Sequence, residues 1–224
     1  MSDLVATIIL TGRRPSLLKA TMTALHQWHP AVLRDTNVIV LHNGGDAETS
    51  VVLDEWDDLI DARIVTGELL PIAHASELLV HAAMETKLPY LFRLEDDWQA
   101  TGRTHEFLQT AVWVLEDEPE VAQVRLRDDR ERVLPTHMVT KAPLVWHDRG
   151  HYRYSPDAHV THNPSLWRME VAAVAYPADI EREMQDNVRR AGWTASAQLT
   201  PGEFTHLGEG ELSLKRKVKR GRTA

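Results

Sequence analysis

The chain has no cysteine. Disulfide frameworks, zinc ribbons and thiol nucleophiles are therefore excluded, and the absence suits a cytoplasmic protein. Long apolar runs are missing as well. None approaches the roughly 20 residues of a membrane span, so no integral membrane association is expected. The apolar stretch inside "MSDLVATIILTGRRP" is short and has no basic segment before it, which predicts a first strand rather than a signal peptide. Also absent are a G-x-x-x-x-G-K-[ST] phosphate loop and a G-x-S-x-G elbow. The "GEG" after Leu207 follows no strong strand, which removes a dinucleotide fingerprint. His147 and His151 would share a face only on a helix, and Gly150 between them argues against a zinc site.

What remains is a chain of 224 residues, 43% hydrophobic and 26% charged, the balance of a globular domain with a substantial core. The net charge of −8 is unevenly spread. Lys215–Arg222, "KRKVKRGR", carries six cations and no acid, so the rest is more acidic than the total. Such a tail meets phosphates, lipid headgroups or nucleic acid, or is simply a solvated terminus.

Strand and helix signals alternate along the first half. "LVATIIL" (4–10) and "NVIVL" (37–41) read as strands, followed by the breakers "TGRRP" and "HNGGD". Leu17, Leu18, Thr21, Met22 and Leu25 recur at helical spacing behind Pro15. "AETSVVLDEWDDL" reads as helix and "ARIV" (62–65) as strand. A helix over Ala73–Lys87 leads into the strand "YLFRL" (90–94), and "EFLQTAVWVLED" into "VAQVRL" (121–126). This order predicts βαβ units and an α/β fold, a mainly parallel central sheet flanked by helices. Residues 127–163 predict small strands and a long loop. "MEVAAVAYP" predicts a strand or short helix. "ADIEREMQDNVRRAGW" predicts a helix with Ile180, Met184 and Val188 on one stripe and Gly192 at its stop.

Ligands of such sheets bind beyond the carboxyl ends of the strands. Three turns qualify: Thr11–Arg14, Asn43–Asp46 and Glu95–Asp97. The last is three consecutive acids at the end of an apolar strand, with Trp98 behind them. Unpartnered like charges are costly to bury, so the acids either sit in a solvated turn or expect a cation. A divalent ion of hard-oxygen preference, Mn²⁺ or Mg²⁺, is typically held by one or two carboxylates plus substrate phosphates.

"YLFRLEDDW", behind its helix and the "HNGGD" turn, resembles the nucleotide-sugar half of family-2-like glycosyltransferases with the A-type fold. In that family a strand ends in an Asp-x-Asp motif, often written Glu-Asp-Asp. The likeness extends through "IILTGRRPSLLKATMTAL", "VAQVRLR", "THNPSLWRMEV", "AGW" and "FTHLGEG". It implies a single Rossmann-like nucleotide-diphospho-sugar transferase domain over 1–214. Residues 1–100 would form the nucleotide-sugar half, 101–214 the acceptor side, and 215–224 a basic tail.

The resemblance also implies roles. Thr11, Arg13, Asn43 and Asp46 would border the nucleoside, Glu95 the ribose or donor sugar, and Asp96 the nucleotide or sugar. Asp97 would ligate the metal, completed by His206, whose imidazole favours Mn²⁺ over Mg²⁺. A base is expected near the start of the helix ending in "AGW". Glu181 occupies that place, with Asp179 or Glu183 as alternatives, although acids there also favour the helix dipole. Asn163, Trp167 and Arg168 would lie beside the acceptor, unless Asn-Pro is a turn and Trp167 core. Trp98 is expected in the core below the acids. Phosphates would be met by the metal and by Arg13, Arg14 or the tail.

The implied activity is metal-dependent, inverting transfer of a sugar from a nucleotide-diphosphate donor, UDP favoured, to an acceptor hydroxyl. That acceptor is a saccharide or, through the basic tail, a hydroxylated base in DNA, which would have to be exposed or flipped. Two rivals use the same features. A nucleotidyltransferase would prefer a triphosphate, and a nucleic-acid-binding protein acting through its tail would bind any polyanion in a salt-sensitive way.

Overall fold

The apolar run at the N-terminus forms β1 (Val5–Thr11), buried along its whole length, as a strand covered on both faces must be. The computed structural model describes residues 3–128, 144–157, 159–176, 178 and 180–207. β2 (Asn37–His42) and β4 (Tyr90–Glu95) pair parallel with β1 on either side, and β3 (Ala62–Val65) extends the sheet beyond β2. The sheet then continues through β9 (Ser165–Arg168), β6 (Val121–Arg125), β10 (Ala195–Leu199), β8 (Tyr152–Ser155) and β7 (His147–Asp148). β9 and β8 run against the other strands. A small second sheet pairs β5 (Trp98–Ala100) antiparallel with β11 (Phe204–His206).

Seven helices among the described residues cover the two faces. On one side, α1 (Pro15–Trp28), α2 (Pro30–Arg34), α3 (Ala47–Asp54) and α5 (Phe107–Asp117) bury Leu18, Met22, Leu33, Leu53 and Phe107 against Val5, Val40 and Phe92. On the other, α4 (Ile72–Glu85), α6 (Met169–Ala175) and α7 (Glu181–Arg190) bury Leu79, Val171, Met184 and Val188 against Ile8, Leu91 and Trp167. The alternation of odd and even strand positions between these two sets is what makes three layers.

Local chemistry explains most boundaries. Pro15 stands at the first position of α1, where its missing N–H costs nothing. Asp46 caps α3 by accepting from the Thr49 N–H at 2.8 Å. Gly192, with φ of +93°, follows α7. One expected feature is corrected. Ile180 is not on the buried stripe of α7; it precedes the helix in extended backbone and is 54% exposed, while Met184 and Val188 are buried. No helix among the described residues is long and apolar enough to cross a membrane.

Candidate active site

Register brings the three strand-end turns together. Thr11 pairs with His42, and Leu10 with Glu95, so the ends of β2, β1 and β4 lie side by side. The Asn43 N–H donates to the Thr11 carbonyl at 2.8 Å, and Arg13 Nη2 to the Gly44 carbonyl at 3.2 Å. Gly44 needs its positive φ (+93°), and a Cβ there would press on Arg13 Nε and Leu69. Asn43 itself is buried and its amide is spent on the protein: Nδ2 donates to the Leu70 carbonyl at 2.9 Å, and Oδ1 accepts from Leu70 N and Thr66 Oγ1. It therefore braces the loop after β3.

The acids diverge from one another. Asp96 is buried and turns back toward α1, where its Oδ2 accepts from Thr11 Oγ1 at 2.8 Å and Gly12 N at 3.1 Å. Its backbone carbonyl takes the Thr21 hydroxyl at 2.8 Å. The guanidinium of Arg14 bridges the pair, ion-paired with Asp96 Oδ1 through Nη2 and donating to Asp97 Oδ2 through Nη1 at 2.8 Å. Burial pushes the Asp96 carboxyl up to about 6, against the pull of Arg14 and the Thr11 and Gly12 donors. Asp97 is also raised by burial, but the bond to His206 and the charge of Arg14 outweigh it and hold the group below the usual carboxylate range.

His206 reaches Asp97 because β11 lies against β5. Its partner in that register is Trp98, the residue after the acids, and Leu207 N donates to the Asp97 carbonyl at 2.8 Å. His206 Nε2 stands 3.4 Å from Asp97 Oδ2, with its ring edge-on to the Trp98 indole at 4.8 Å. Trp98 is buried, and the Arg127 guanidinium lies over its ring at 5.3 Å. A carboxylate oxygen and an imidazole nitrogen converge here, and Asp97 Oδ1 is a buried oxygen without a hydrogen-bond partner among the described residues. This donor pair fits a divalent cation completed by water and a diphosphate. No group of three or more acidic or imidazole ligands exists among the described residues.

Glu95 points to the opposite layer. Its Oε1 accepts from Arg93 Nη2 at 2.8 Å, and Arg93 is buried, donating also to Ser76 Oγ at 3.1 Å and to the His162 carbonyl. Glu181, at the first position of α7, accepts from the His162 N–H at 3.0 Å and shares the electrostatic neighbourhood of Arg93, Arg125 and Tyr176. His162 is held down to about 3, by burial first and Arg93 second, and is neutral; its Nδ1 lies 3.0 Å from the Tyr176 hydroxyl. Arg125 is drawn down to about 10 by burial and the nearby Arg127, and keeps its charge at neutral pH.

Thus Thr11, Arg13, Asn43, Asp96, Asp97 and His206 gather around one edge of the sheet, while Glu95 bonds Arg93 and Glu181 lies within its electrostatic reach. Asp46 has Oδ1 on its helix cap and Oδ2 3.1 Å from His42 Nε2, which together with the Thr49 N–H bond outweigh burial and keep it at about 2. Asn163 is half-buried next to His162, and its carbonyl accepts from Ser165 Oγ. Trp167 and Arg168 are not brought to the acids. Trp167 is core, bonded to Ser165 Oγ at 2.9 Å, and Arg168 pairs with Tyr90 at the far end of β4. Glu183 is exposed, whereas Asp179 and the basic tail lie outside the described residues.

The residues that sequence reasoning missed are Arg93, Arg125, His162 and Tyr176, together with the bridging role of Arg14. A signal existed for one: an arginine inside "YLFRLE", two positions before Glu95, shares its face of the strand.

No protein-family profile matches the chain, and no curated protein matches it. Solved structures do. S. aureus TarS 1–349 superposes with a TM-score of 0.59 at 10% identity, covering 90% of this chain and 59% of that one. The same protein in complex with UDP-GlcNAc gives a TM-score of 0.60 at 12% identity, covering 92% and 61%. The mannosyltransferase PcManGT from Pyrobaculum calidifontis, in complex with GDP-Man and Mn²⁺, gives 0.60 at 17% identity, covering 88% and 54%. The chain spans less than two thirds of the length of each. The shared architecture is the A-type, nucleotide-diphospho-sugar transferase fold.

Proposed function

We propose that the chain is a metal-dependent glycosyltransferase that moves a sugar from a nucleoside-diphosphate donor to an acceptor hydroxyl. One observation carries this reading: Asp96, Asp97 and His206 converge at the strand-end edge, with a donor pair suited to a divalent cation. The likeness to structures that hold UDP-GlcNAc, or GDP-Man with Mn²⁺, supports it. UDP is the favoured nucleotide.

Asp97 and His206 would hold the cation, which when bound would neutralise charge on the departing diphosphate. Thr11 and Gly12 fix Asp96 by hydrogen bonds and so fix the turn that presents Asp97. Arg13, Asn43 and Asp46 shape the loop edge that a nucleoside would border, and Glu95 lies toward the donor sugar. Glu181 is the base of an inverting displacement, taking the acceptor hydroxyl proton as that oxygen attacks the anomeric carbon and the nucleoside diphosphate leaves. Glu183 and Asp179 are its alternatives. Asn163, beside His162, belongs to the acceptor side. The acceptor is a saccharide or a hydroxylated DNA base.

Calorimetric titration of UDP and GDP, each with Mn²⁺ or EDTA, tests the donor half. Manganese-dependent binding of one nucleotide, lost in Asp97→Ala, is expected. Tighter binding of UTP or GTP than of the diphosphates would favour nucleotidyl transfer, and no binding in any condition would sink the reading.

A further inference from the structure

The acidic turn already has a cation, and it is part of the chain. Arg14 sits just before α1, makes no side-chain cap for that helix, and spends its guanidinium on both aspartates at once. The oxygen that it takes on Asp97, Oδ2, is the one that faces His206 at 3.4 Å. A divalent ion shared by Asp97 and His206 would lie within a few ångströms of the guanidinium. Two cations on one oxygen repel, and the repulsion is strong where water is partly excluded. The two occupants therefore compete. Arg14 is also free to leave: its side chain is 44% exposed, whereas that of Asp96 is fully buried.

Where would it go? A guanidinium released from two carboxylates finds its equivalent in a diphosphate, whose paired anionic oxygens accept the same bidentate fork. The position before the N-terminus of α1 adds the partial positive charge of that helix end, so an anion arriving there meets both. A bare divalent cation brings no such replacement. It would have to displace Arg14 into solvent, leaving the guanidinium with nothing in exchange.

We propose that Arg14 is the resident counter-ion of the acidic turn, holding it against a bare divalent cation and moving to the donor's diphosphate when nucleotide and metal arrive together. The inference rests on the donor-site reading above and adds a gate to it. Arg14 is here a positioning residue: it decides the order and coupling of binding, and its effect is read in affinities rather than turnover. The arrangement makes metal and nucleotide binding mutually dependent, since each removes an obstacle to the other.

The test is a Mn²⁺ titration without nucleotide of the wild type, Arg14→Met and Arg14→Lys, followed by UDP titrations at saturating Mn²⁺. Arg14→Met should bind Mn²⁺ alone about tenfold more tightly than the wild type. Arg14→Lys, which keeps the charge but not the bridging fork, should fall between. At saturating Mn²⁺, Arg14→Met should bind UDP about tenfold more weakly. Equal Mn²⁺ affinity in the three proteins, or none in any, overturns the gate. An unchanged UDP affinity in Arg14→Met overturns the transfer of Arg14 to the diphosphate. A wild type that binds Mn²⁺ but no nucleotide defeats the donor reading instead, and the gate then stands or falls on the Mn²⁺ titrations. Thermal melting of each variant separates these results from loss of fold.

Discussion

His206 Nε2 stands 3.4 Å from Asp97 Oδ2, and the residue after it, Leu207, donates its N–H to the Asp97 carbonyl at 2.8 Å. The side-chain approach is thus enforced by a backbone bond, with β11 aligned on β5 so that His206 sits opposite Trp98. His206→Ala should weaken Mn²⁺-dependent nucleotide binding by at least about tenfold, the scale at which even supporting groups of a metal site count. The melting temperature should change little, because the Leu207–Asp97 bond and the strand pairing remain. Nucleotide calorimetry alongside thermal melting checks both halves, and an unaltered affinity would remove His206 from the site.

The strand that carries His206 is anchored by a buried carboxylate. Glu203 gathers the N–H groups of Thr101, Gly102 and Thr104, and the His29 imidazole at 2.7 Å. Burial raises its carboxyl, but the bond from His29 and the backbone donors outweigh it and hold the pKa below the ordinary glutamate value of 4.5. The unfolded chain therefore takes up the proton first. The contribution of Glu203 is complete above about pH 4.5 and is lost as the pH falls from there through the folded-state pKa. Glu203→Gln should cost about 2 kcal/mol at neutral pH, since an amide leaves at least one donor facing another donor. Urea midpoints measured from about pH 3 to pH 7 should converge between wild type and variant on the acid side. Parallel curves would show that Glu203 carries no such linkage.

The sheet, its two helical layers and the acid edge were legible because each depends on local signals. Unbroken apolar runs mark β1 and β2, Pro15 and Gly192 mark helix ends, and an acid run after "YLFRL" marks a strand terminus. What periodicity cannot show is pairing between distant segments. Nothing in "SLWR" says that β9 inserts antiparallel between β4 and β6, and that insertion is what places Ser165 between Arg93 and Arg125 while sending Trp167 to the core and Arg168 to the far end. The same limit hid the cation of the acidic turn. Arg14 was legible as a phosphate-binding candidate, but its bridge to Asp96 and Asp97 exists only because β1 pairs with β4. Ile180 misled for a different reason: it keeps helical spacing with Met184 and Val188 but lies outside the helix.

Close backbone approach gives a third prediction. Gly202 lies against the chain at Arg127 so tightly that a Cβ would overlap the Arg127 carbonyl, in a backbone conformation without a positive φ. The contact holds the residues before β11 onto the end of β6, where Glu203 N and Phe204 N both donate to the Leu126 carbonyl. Gly202→Ala should destabilise by about 2–3 kcal/mol, as overpacking against backbone does. It should also weaken nucleotide binding, because Arg127 and its stacking over Trp98 must move. A variant with the wild-type urea midpoint would show that the chain yields there without cost.

Arg168 offers a case in which stability and binding should separate. Its guanidinium reaches the last carbonyls of α5, bonding the Leu115 carbonyl and lying 3.4 Å from that of Glu118, while Nε donates to Val121 at 3.3 Å and the group rests over the Trp193 ring at 5.5 Å. A cation at a helix C-terminus favours the dipole and satisfies carbonyls that have no intrahelical donor. The residue pairs with Tyr90, so the length of β4, about 16 Å at the usual rise per residue, separates it from the acid edge. Arg168→Met would retain the aliphatic stem over Trp193 but leave those carbonyls unpaired, at a cost of about 1–3 kcal/mol. Nucleotide affinity with Mn²⁺, and the apparent affinity for whichever acceptor supports turnover, should remain at wild-type values below the melting temperature. A raised acceptor KM with an unchanged melting temperature would be the opposite result. It would place Arg168 on the acceptor path and require the chain around β9 to rearrange when the acceptor binds.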